Sequence, residues 1–227
     1  MERRSFIKLL ASGALGSLFE KLLPGKISFA DSLRNSKSDP RTKRIFVSDL
    51  HMGEHRTLYP SRGYPYGWLG EKRADMFTRF LDTQVIAKHE TVKEVVFLGD
   101  IMDGWTLKTD LSPVPIDTID KPGLFHGIAF QNKINKKIIE KLIELKSYDI
   151  TLKYVPGNHD MLLTEDILKN IIPNVEYISD KNLKGKPMTG LGTYTSDDSI
   201  IAAEHGHRYG IFNAPNPVSS PPHVLPY

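Results

Sequence analysis

"EVVFLGDIMD", residues 94–103, decides the fold prediction for this chain. Residues 95–98 form a β-branched and aromatic run of strand length, and Gly99, Asp100 and Asp103 follow it directly. Because glycine has no side chain, the backbone at Gly99 lets its neighbour approach another group closely. The stretch therefore predicts a strand whose end carries two carboxylates.

Two similar runs lie on either side of this strand along the chain. "RIFVSDLH" spans residues 44–51 and "ITLKYVPGN" spans residues 150–158. Between the three runs, apolar residues recur at helical spacing within residues 71–88 and again within residues 134–145. Alternation of strand and helix in this order predicts an α/β fold in which helical crossovers join parallel strands.

Each predicted strand ends in polar residues that can bind a ligand. The turn "GNHD", residues 157–160, taken alone fits an ordinary turn as well as a binding site, since Gly, Asn and Asp are common turn formers. The carboxyl ends of parallel strands meet at one edge, however, so three such ends converge there. Asp49 and His51 are two residues apart and project from the same side of an extended chain. These features favour a functional site over three unrelated turns.

Composition limits the chemistry that this site can use. The chain of 227 residues has no cysteine, which excludes disulfides, thiolate metal ligands and a cysteine nucleophile. The net charge of +3 lies entirely in residues 1–30, where five basic residues face two acidic ones, leaving 25 of each elsewhere. This balance argues against a nucleic-acid-binding surface, which is normally basic.

The first 30 residues have the pattern of an export signal. Arg3 and Arg4 precede an apolar stretch that is too short to span a bilayer, and the small-residue sequence Ser28–Phe29–Ala30 follows. "RRSFIK" resembles the twin-arginine consensus, which implies recognition by the twin-arginine export machinery. We therefore expect a leader over residues 1–30, a polar linker over 31–43, a domain over 44–227, and a periplasmic or extracellular location without a stable membrane span.

"DLH", "GDIMD" and "GNHD", in this order on a βαβαβ pattern, resemble the motifs of the calcineurin-like metallophosphoesterases. The resemblance covers about residues 44–212 and implies a four-layer α/β/β/α sandwich. It also implies hydrolysis of a phosphate monoester or diester by a water activated by two divalent cations, either Mn, Fe or Zn. "GDIMDGW" is similar to the branch that contains UDP-diacylglucosamine pyrophosphohydrolases.

The resemblance implies a role for each polar residue of these motifs. Asp49 and His51 would bind the first cation, Asp100 would bridge both, and Asn158 would bind the second. His159 would act as the catalytic residue beside the phosphoryl group, and Asp103 would orient it.

A fourth motif of this family is a lone histidine at the end of a later strand, which binds the second cation. "SIIAAEHGHRYG", residues 199–210, is an apolar run that ends in His205, which we assign to this role by resemblance. His207 is the alternative ligand, but Tyr209 stands where the family's Gly-His-x-His motif would need its second histidine. That final motif is absent up to Tyr227, and His223 has no glycine or strand before it. Either the sequence is a fragment, which its end within Pro-rich sequence favours, or the protein has an incomplete site; in both cases we expect weakened cation affinity.

Two long loops beside the predicted site offer substrate contacts. His55 and Arg56 follow the first motif, and together with His207 they are predicted to contact the substrate, a small or lipid-linked phosphoester. Residues 105–126 form a Pro-containing insertion that we interpret as a candidate lid, and His126 within it fits packing and substrate contact equally well. A nuclease of the same family and a non-catalytic binding protein with the same fold are the competing hypotheses.

Overall fold

The computed structural model describes residues 39–53, 58–59, 64–65, 69–104, 119–210 and 213–214. The chain divides into two units, Met1–Asp39 and Pro40–Tyr227, and nearly all of the described residues belong to the second. Among the described residues, no helix is both long and apolar enough to cross a membrane. The predicted leader and most of the predicted linker lie outside the described residues.

A four-stranded parallel sheet forms the centre of the second unit, in the order β1-β4-β5-β6. The three predicted strands are confirmed, and the sheet gains a fourth. Two antiparallel pairs, β2-β3 and β7-β8, accompany it. The strands are β1 (Lys43–Val47), β2 (Leu58–Tyr59), β3 (Tyr64–Pro65), β4 (Val92–Leu98), β5 (Thr151–Val155), β6 (Val175–Tyr177), β7 (Tyr194–Thr195) and β8 (Ala202–Ala203).

In the part of the chain that the structure describes, four α-helices connect the strands of the main sheet. The two predicted crossover helices are confirmed as α1 and α3, which pack against each other. The helices are α1 (Glu71–Phe80), α2 (Lys121–His126), α3 (Lys133–Glu144) and α4 (Glu165–Ile171). Further helical turns, of π or 3-10 type, follow α1, α2 and α3. A 3-10 turn over His207–Tyr209 follows β8.

The two faces of the sheet have different cores because alternate strand residues point to opposite sides. On the helical face, Val95 and Phe97 of β4 and Tyr154 of β5 are buried in the main hydrophobic core. On the other face, Val96 and Val155 pack against Tyr194 of β7. The sheet therefore lies between helices and the β7-β8 pair, which confirms an α/β sandwich.

Helix α2 ends the segment 105–126, which the sequence analysis interpreted as a Pro-containing insertion and candidate lid. Pro122 and Gly123 disfavour a helix interior, but here they occupy its first turn, where a missing N–H is tolerated. The Asp120 side chain accepts a hydrogen bond from the Gly123 N–H at 3.1 Å and so caps the helix. Residues 105–118 of the insertion lie outside the described residues.

The sheet face opposite the helices carries a buried ionic network centred on Glu94. This side chain is 1% exposed. Its Oε1 accepts a hydrogen bond from Arg44 Nε at 2.9 Å and another from the Tyr194 hydroxyl, and its Oε2 lies 3.1 Å from Lys153 Nζ. One buried negative charge thus lies between positive charges from the two neighbouring strands, beneath β7.

Replacing Glu94 should be costly, because Arg44 and Lys153 would be left as positive charges in a largely dry environment. We expect Glu94→Gln to lower the free energy of unfolding by about 3 kcal/mol. The exposed Glu176, which also lies near Lys153, provides the control. Glu176→Gln should change stability by no more than about 0.5 kcal/mol. Urea denaturation measures both, and equal effects would contradict the assigned role of the network.

Candidate metal centre

Backbone hydrogen bonds join the loop after β1 to the loop after β4. Asp49 N donates to Gly99 O at 3.2 Å, and His51 N donates to Asp100 O at 2.9 Å. Asp49, His51 and Asp100 all have positive φ angles, of 57°, 46° and 55°. Non-glycine residues rarely adopt this conformation, and such strain concentrates at functional sites. The prediction that Asp49 and His51 lie on an extended chain was therefore wrong, because β1 ends at Val47 and both residues have left-handed backbone conformations.

Two glycines bring the loops after β4 and β5 into direct backbone contact. A Cβ atom on Gly157 would overlap Asp100 Oδ1 and lie 2.9 Å from the Cα of Gly99. A Cβ atom on Gly99, whose φ is 75°, would lie 2.7 Å from the Cα of Gly157 and 2.6 Å from Cγ of His205. Since only glycine fits at both positions, these residues set the spacing between the loops.

Asp100 lies at the centre of the polar cluster and is 4% exposed. Its Oδ1 accepts a hydrogen bond from His159 N at 2.8 Å. Its Oδ2 lies 3.8 Å from His51 Nε2 and 3.4 Å from His205 Nε2. One oxygen is thus fixed by the backbone, and the other faces two imidazoles.

Asp49 faces the same two imidazoles but is open to solvent. Its Oδ1 lies 3.8 Å from His51 Nε2 and 3.8 Å from His205 Nε2, and 58% of its side chain is exposed. The ligand atoms of Asp49, Asp100 and His205 all lie within 4.8 Å of one another. Residues from three distant segments therefore present two carboxylates and an imidazole to one point.

A second group of potential ligand atoms consists of His51, Asp103 and His159. Asp103 is buried between the two histidines: its Oδ2 lies 3.3 Å from His51 Nδ1, and its Oδ1 lies 3.1 Å from His159 Nδ1. The two imidazole rings meet edge to face at 4.6 Å. The hydrogen bond with Asp103 raises the pKa of His51, against the effect of burial. Asp103 thus contacts both histidines, whereas the sequence predicted contact with His159 alone.

His205 and His207 form a pair at the other side of the cluster. Their Nδ1 atoms are 3.1 Å apart, and their ring centroids are 5.2 Å apart. His207 is 8% exposed, and burial together with the neighbouring His205 lowers its pKa to about 4. His205, which the sequence assigned to the second cation, lies in the cluster, and His207 lies behind it.

Asp160 is a structural element of the site to which the sequence assigned no role. It is completely buried, and burial raises its pKa. Its Oδ2 accepts hydrogen bonds from Ile101 N at 3.0 Å and Tyr154 Oη at 2.6 Å, and its Oδ1 accepts from Gly157 N at 2.5 Å. This carboxylate therefore ties the loop after β4 to the loop after β5.

The other residues that the sequence analysis singled out lie at the same sheet edge, at the end of α2, or outside the described residues. Asn158 follows Gly157 and is 3% exposed, at the same edge of the sheet. His126 is exposed at the end of α2, with its ring 5.0 Å from that of Phe130. His55, Arg56 and His223 lie outside the described residues.

Comparison with known proteins agrees with this geometry. No curated protein sequence matched the chain. The sequence profile of the calcineurin-like phosphoesterases matches residues 42–220, a range that contains β1, β4, β5 and every residue of the two groups of potential ligands. Since this match covers well over half of its length, the chain belongs to the calcineurin-like phosphoesterase family.

Proposed function

We propose that this protein hydrolyses a phosphate monoester or diester with the help of two divalent cations. One observation carries the proposal: carboxylates and imidazoles from separate strand ends come together in two adjoining groups, with Asp100 buried among them. Members of the family are generally metal-dependent phosphoester hydrolases, which supports the same reaction class.

The donor set fits a pair of divalent cations. Its ligand atoms are carboxylate oxygens and imidazole nitrogens, which suit Mn, Fe and Zn. Asp49 and Asp100 lie between His51 on one side and His205 on the other, at 3.4 to 3.8 Å. We assign Asp49 and His51 to the first cation, Asn158 and His205 to the second, and Asp100 to both.

When bound, the cations would supply Lewis-acid polarisation of the phosphoryl group and an activated water. The protein's own part in that step is to hold the ligands rigidly. Asp103 faces Nδ1 of His51, so the Nε2 of this ring is left for a cation. A carboxylate behind a metal-binding histidine fixes its tautomer and orientation in many metal sites.

His159 is proposed to serve the leaving group. Its Nδ1 lies 3.1 Å from Asp103 Oδ1, and this partner would keep a proton on Nδ1. With Nδ1–H facing Asp103, donation to the oxygen that leaves the phosphorus requires a second proton on Nε2, and the doubly protonated ring would return to the neutral form as it gives that proton up. The His159 side chain is 25% exposed, compared with 6% for Asp103, so a substrate can reach the histidine but not the aspartate.

The substrate and the location of the protein form the finer part of this proposal. We propose a small or lipid-linked phosphoester as substrate, with His55 and Arg56 as substrate contacts. The resemblance of "GDIMDGW" to the pyrophosphohydrolase branch informs the fold more than the substrate, because an exported protein would not meet that cytoplasmic compound. The twin-arginine-like pattern of residues 1–30 supports export. Both rest on sequence resemblance.

The proposed reaction is tested by hydrolysis of chromogenic phosphate esters. Full-length protein stripped of metal with EDTA should be inactive, and adding Mn²⁺ should restore turnover of a nitrophenyl monoester or diester. Lipid-linked and nucleotide-linked pyrophosphates then extend the substrate panel. Protein that binds Mn²⁺ but hydrolyses none of these esters would support the non-catalytic alternative instead.

A further inference from the structure

His207 is a buried imidazole that the proposed mechanism leaves without a role. Gly206, with φ of 87°, reverses the chain between His205 and His207, and the 3-10 turn that follows holds the second ring against the first. His207 is 8% exposed, and its Nδ1 lies 3.1 Å from the Nδ1 of His205. A side chain so placed contacts His205 more readily than a substrate.

The contact between two Nδ1 atoms restricts where the protons are. At 3.1 Å, one nitrogen must donate and the other must accept, because two N–H groups facing each other would repel. The opposite edge of His205 faces the carboxylates, with Nε2 at 3.4 Å from Asp100 Oδ2. A nitrogen that binds a cation offers its lone pair, so the proton of a metal-binding His205 is on Nδ1. His207 must then be the acceptor.

We propose that His207 is a positioning residue, which accepts a hydrogen bond from the Nδ1–H of His205 and thereby aims the Nε2 lone pair of His205 at Asp49 and Asp100. This inference rests on the proposed function, in which His205 is a cation ligand. Metal-binding histidines commonly donate their second ring N–H to a carboxylate, carbonyl or water. Here a second imidazole takes that place.

The rest of the pocket around His205 supports a positioning role. Gly99 packs against the ring so closely that a Cβ atom there would lie 2.6 Å from Cγ and 2.7 Å from Cδ2. The ring therefore has Gly99 against its carbon atoms, His207 at one nitrogen and the carboxylates at the other. Removing the acceptor would leave the His205 Nδ1–H unpaired and favour the tautomer with its proton on Nε2, where it blocks the cation.

The test compares two substitutions that differ in whether they keep an acceptor at the Nδ1 position. Asparagine places its amide oxygen near that position, whereas leucine fills the space without an acceptor. Mn²⁺ is titrated into the full chain after EDTA treatment, and free Mn²⁺ is followed by electron paramagnetic resonance. We expect His207→Leu to weaken one class of Mn²⁺ sites by about 10- to 100-fold, and His207→Asn to remain within about threefold of the unchanged protein.

Thermal unfolding of the metal-free variants separates positioning from folding. If His207→Leu does not fold, His207→Gln replaces it, since its amide oxygen reaches the Nε2 position and leaves Nδ1 without an acceptor. Wild-type Mn²⁺ affinity in the variant without an acceptor would overturn the inference, as would equal losses in that variant and in His207→Asn.

A His205→Ala variant distinguishes failure of this inference from failure of the proposed function. If His205→Ala weakens Mn²⁺ binding and His207→Leu does not, the positioning role alone is wrong. If His205→Ala binds Mn²⁺ as the unchanged protein does, then His205 is not a ligand, and both proposals lose their basis.

Discussion

Asp100→Asn is expected to lower manganese-dependent phosphoester hydrolysis by about 1000-fold or more while leaving the fold intact. The substitution removes a negative charge and one of two oxygens from the residue proposed to contact both cations. Asparagine keeps an oxygen that can accept the hydrogen bond from His159 N, and it tolerates the positive φ of 55° at this position. Loss of activity would therefore report on the carboxylate and not on misfolding.

Asp149→Asn is a matched control for this variant. Asp149 has the same φ of 55°, but its side chain is 98% exposed and paired with Arg41, and it belongs to neither group of potential ligands. The same chemical change in the same backbone conformation should leave turnover unaltered. Turnover by Asp100→Asn that matches this control would contradict a cation-bridging role for Asp100.

Gly157→Ala is expected to disrupt the site through the backbone. The added methyl group would overlap Asp100 Oδ1 and lie 2.6 Å from Asp100 N, and only movement of one loop could relieve the clash. We expect a loss of about 3 kcal/mol in unfolding free energy, with Mn²⁺ binding lost even in the fraction that remains folded. Urea denaturation and Mn²⁺ titration measure these two effects.

Gly70→Ala controls for replacing a glycine as such. Gly70 precedes α1 with φ of −73°, and a Cβ atom there would meet nothing within 4 Å. Because Gly70 is the N-cap residue of α1, where alanine is disfavoured, this variant should lose no more than about 1 kcal/mol of stability and should keep wild-type metal binding. Gly157→Ala with unchanged Mn²⁺ affinity would show that the close contact between the two loops is not needed for the site.

The order of strands and helices along the chain, and the convergence of polar residues at one sheet edge, were predictable because both follow from simple sequence regularities. Runs of β-branched residues alternate with segments whose apolar residues recur at helical spacing. Parallel strands place their carboxyl ends at one edge of the sheet. Asp49, Asp100 and His205 come together as this reasoning requires, although they are separated by up to 156 positions in the numbered chain.

The contacts that tune the site were not predictable in the same way. Asp160 and Asn158 share one turn, and nothing in their spacing shows that Asp160 is buried beneath two loops. His207 was predicted to contact substrate, with a role as a cation ligand as the alternative. Its burial depends on the turn at Gly206, which is set by tertiary structure. The orientation and burial of these side chains depend on packing between distant segments, and a local sequence pattern carries no information about that packing.

The run that ends in His205 also shows how tertiary context limits a local pattern. Residues 199–204 are apolar enough to predict a strand, but only Ala202–Ala203 forms one, paired with β7. Ile200 is 81% exposed and Ser199 has a φ of 57°, so the start of the run turns and does not extend. His205 still lies in the cluster because only the last residues of the run, next to β8, determine its position.

Anomalous scattering from crystals of the full chain grown with Mn²⁺ would show whether separate strand ends hold a pair of cations. We expect two peaks roughly 3.5 to 4 Å apart. Asp49 and His51 should contact one, Asn158 and His205 the other, and Asp100 both. An ordered site without manganese, or peaks bound by other residues, would show that these strand ends do not form a two-cation site.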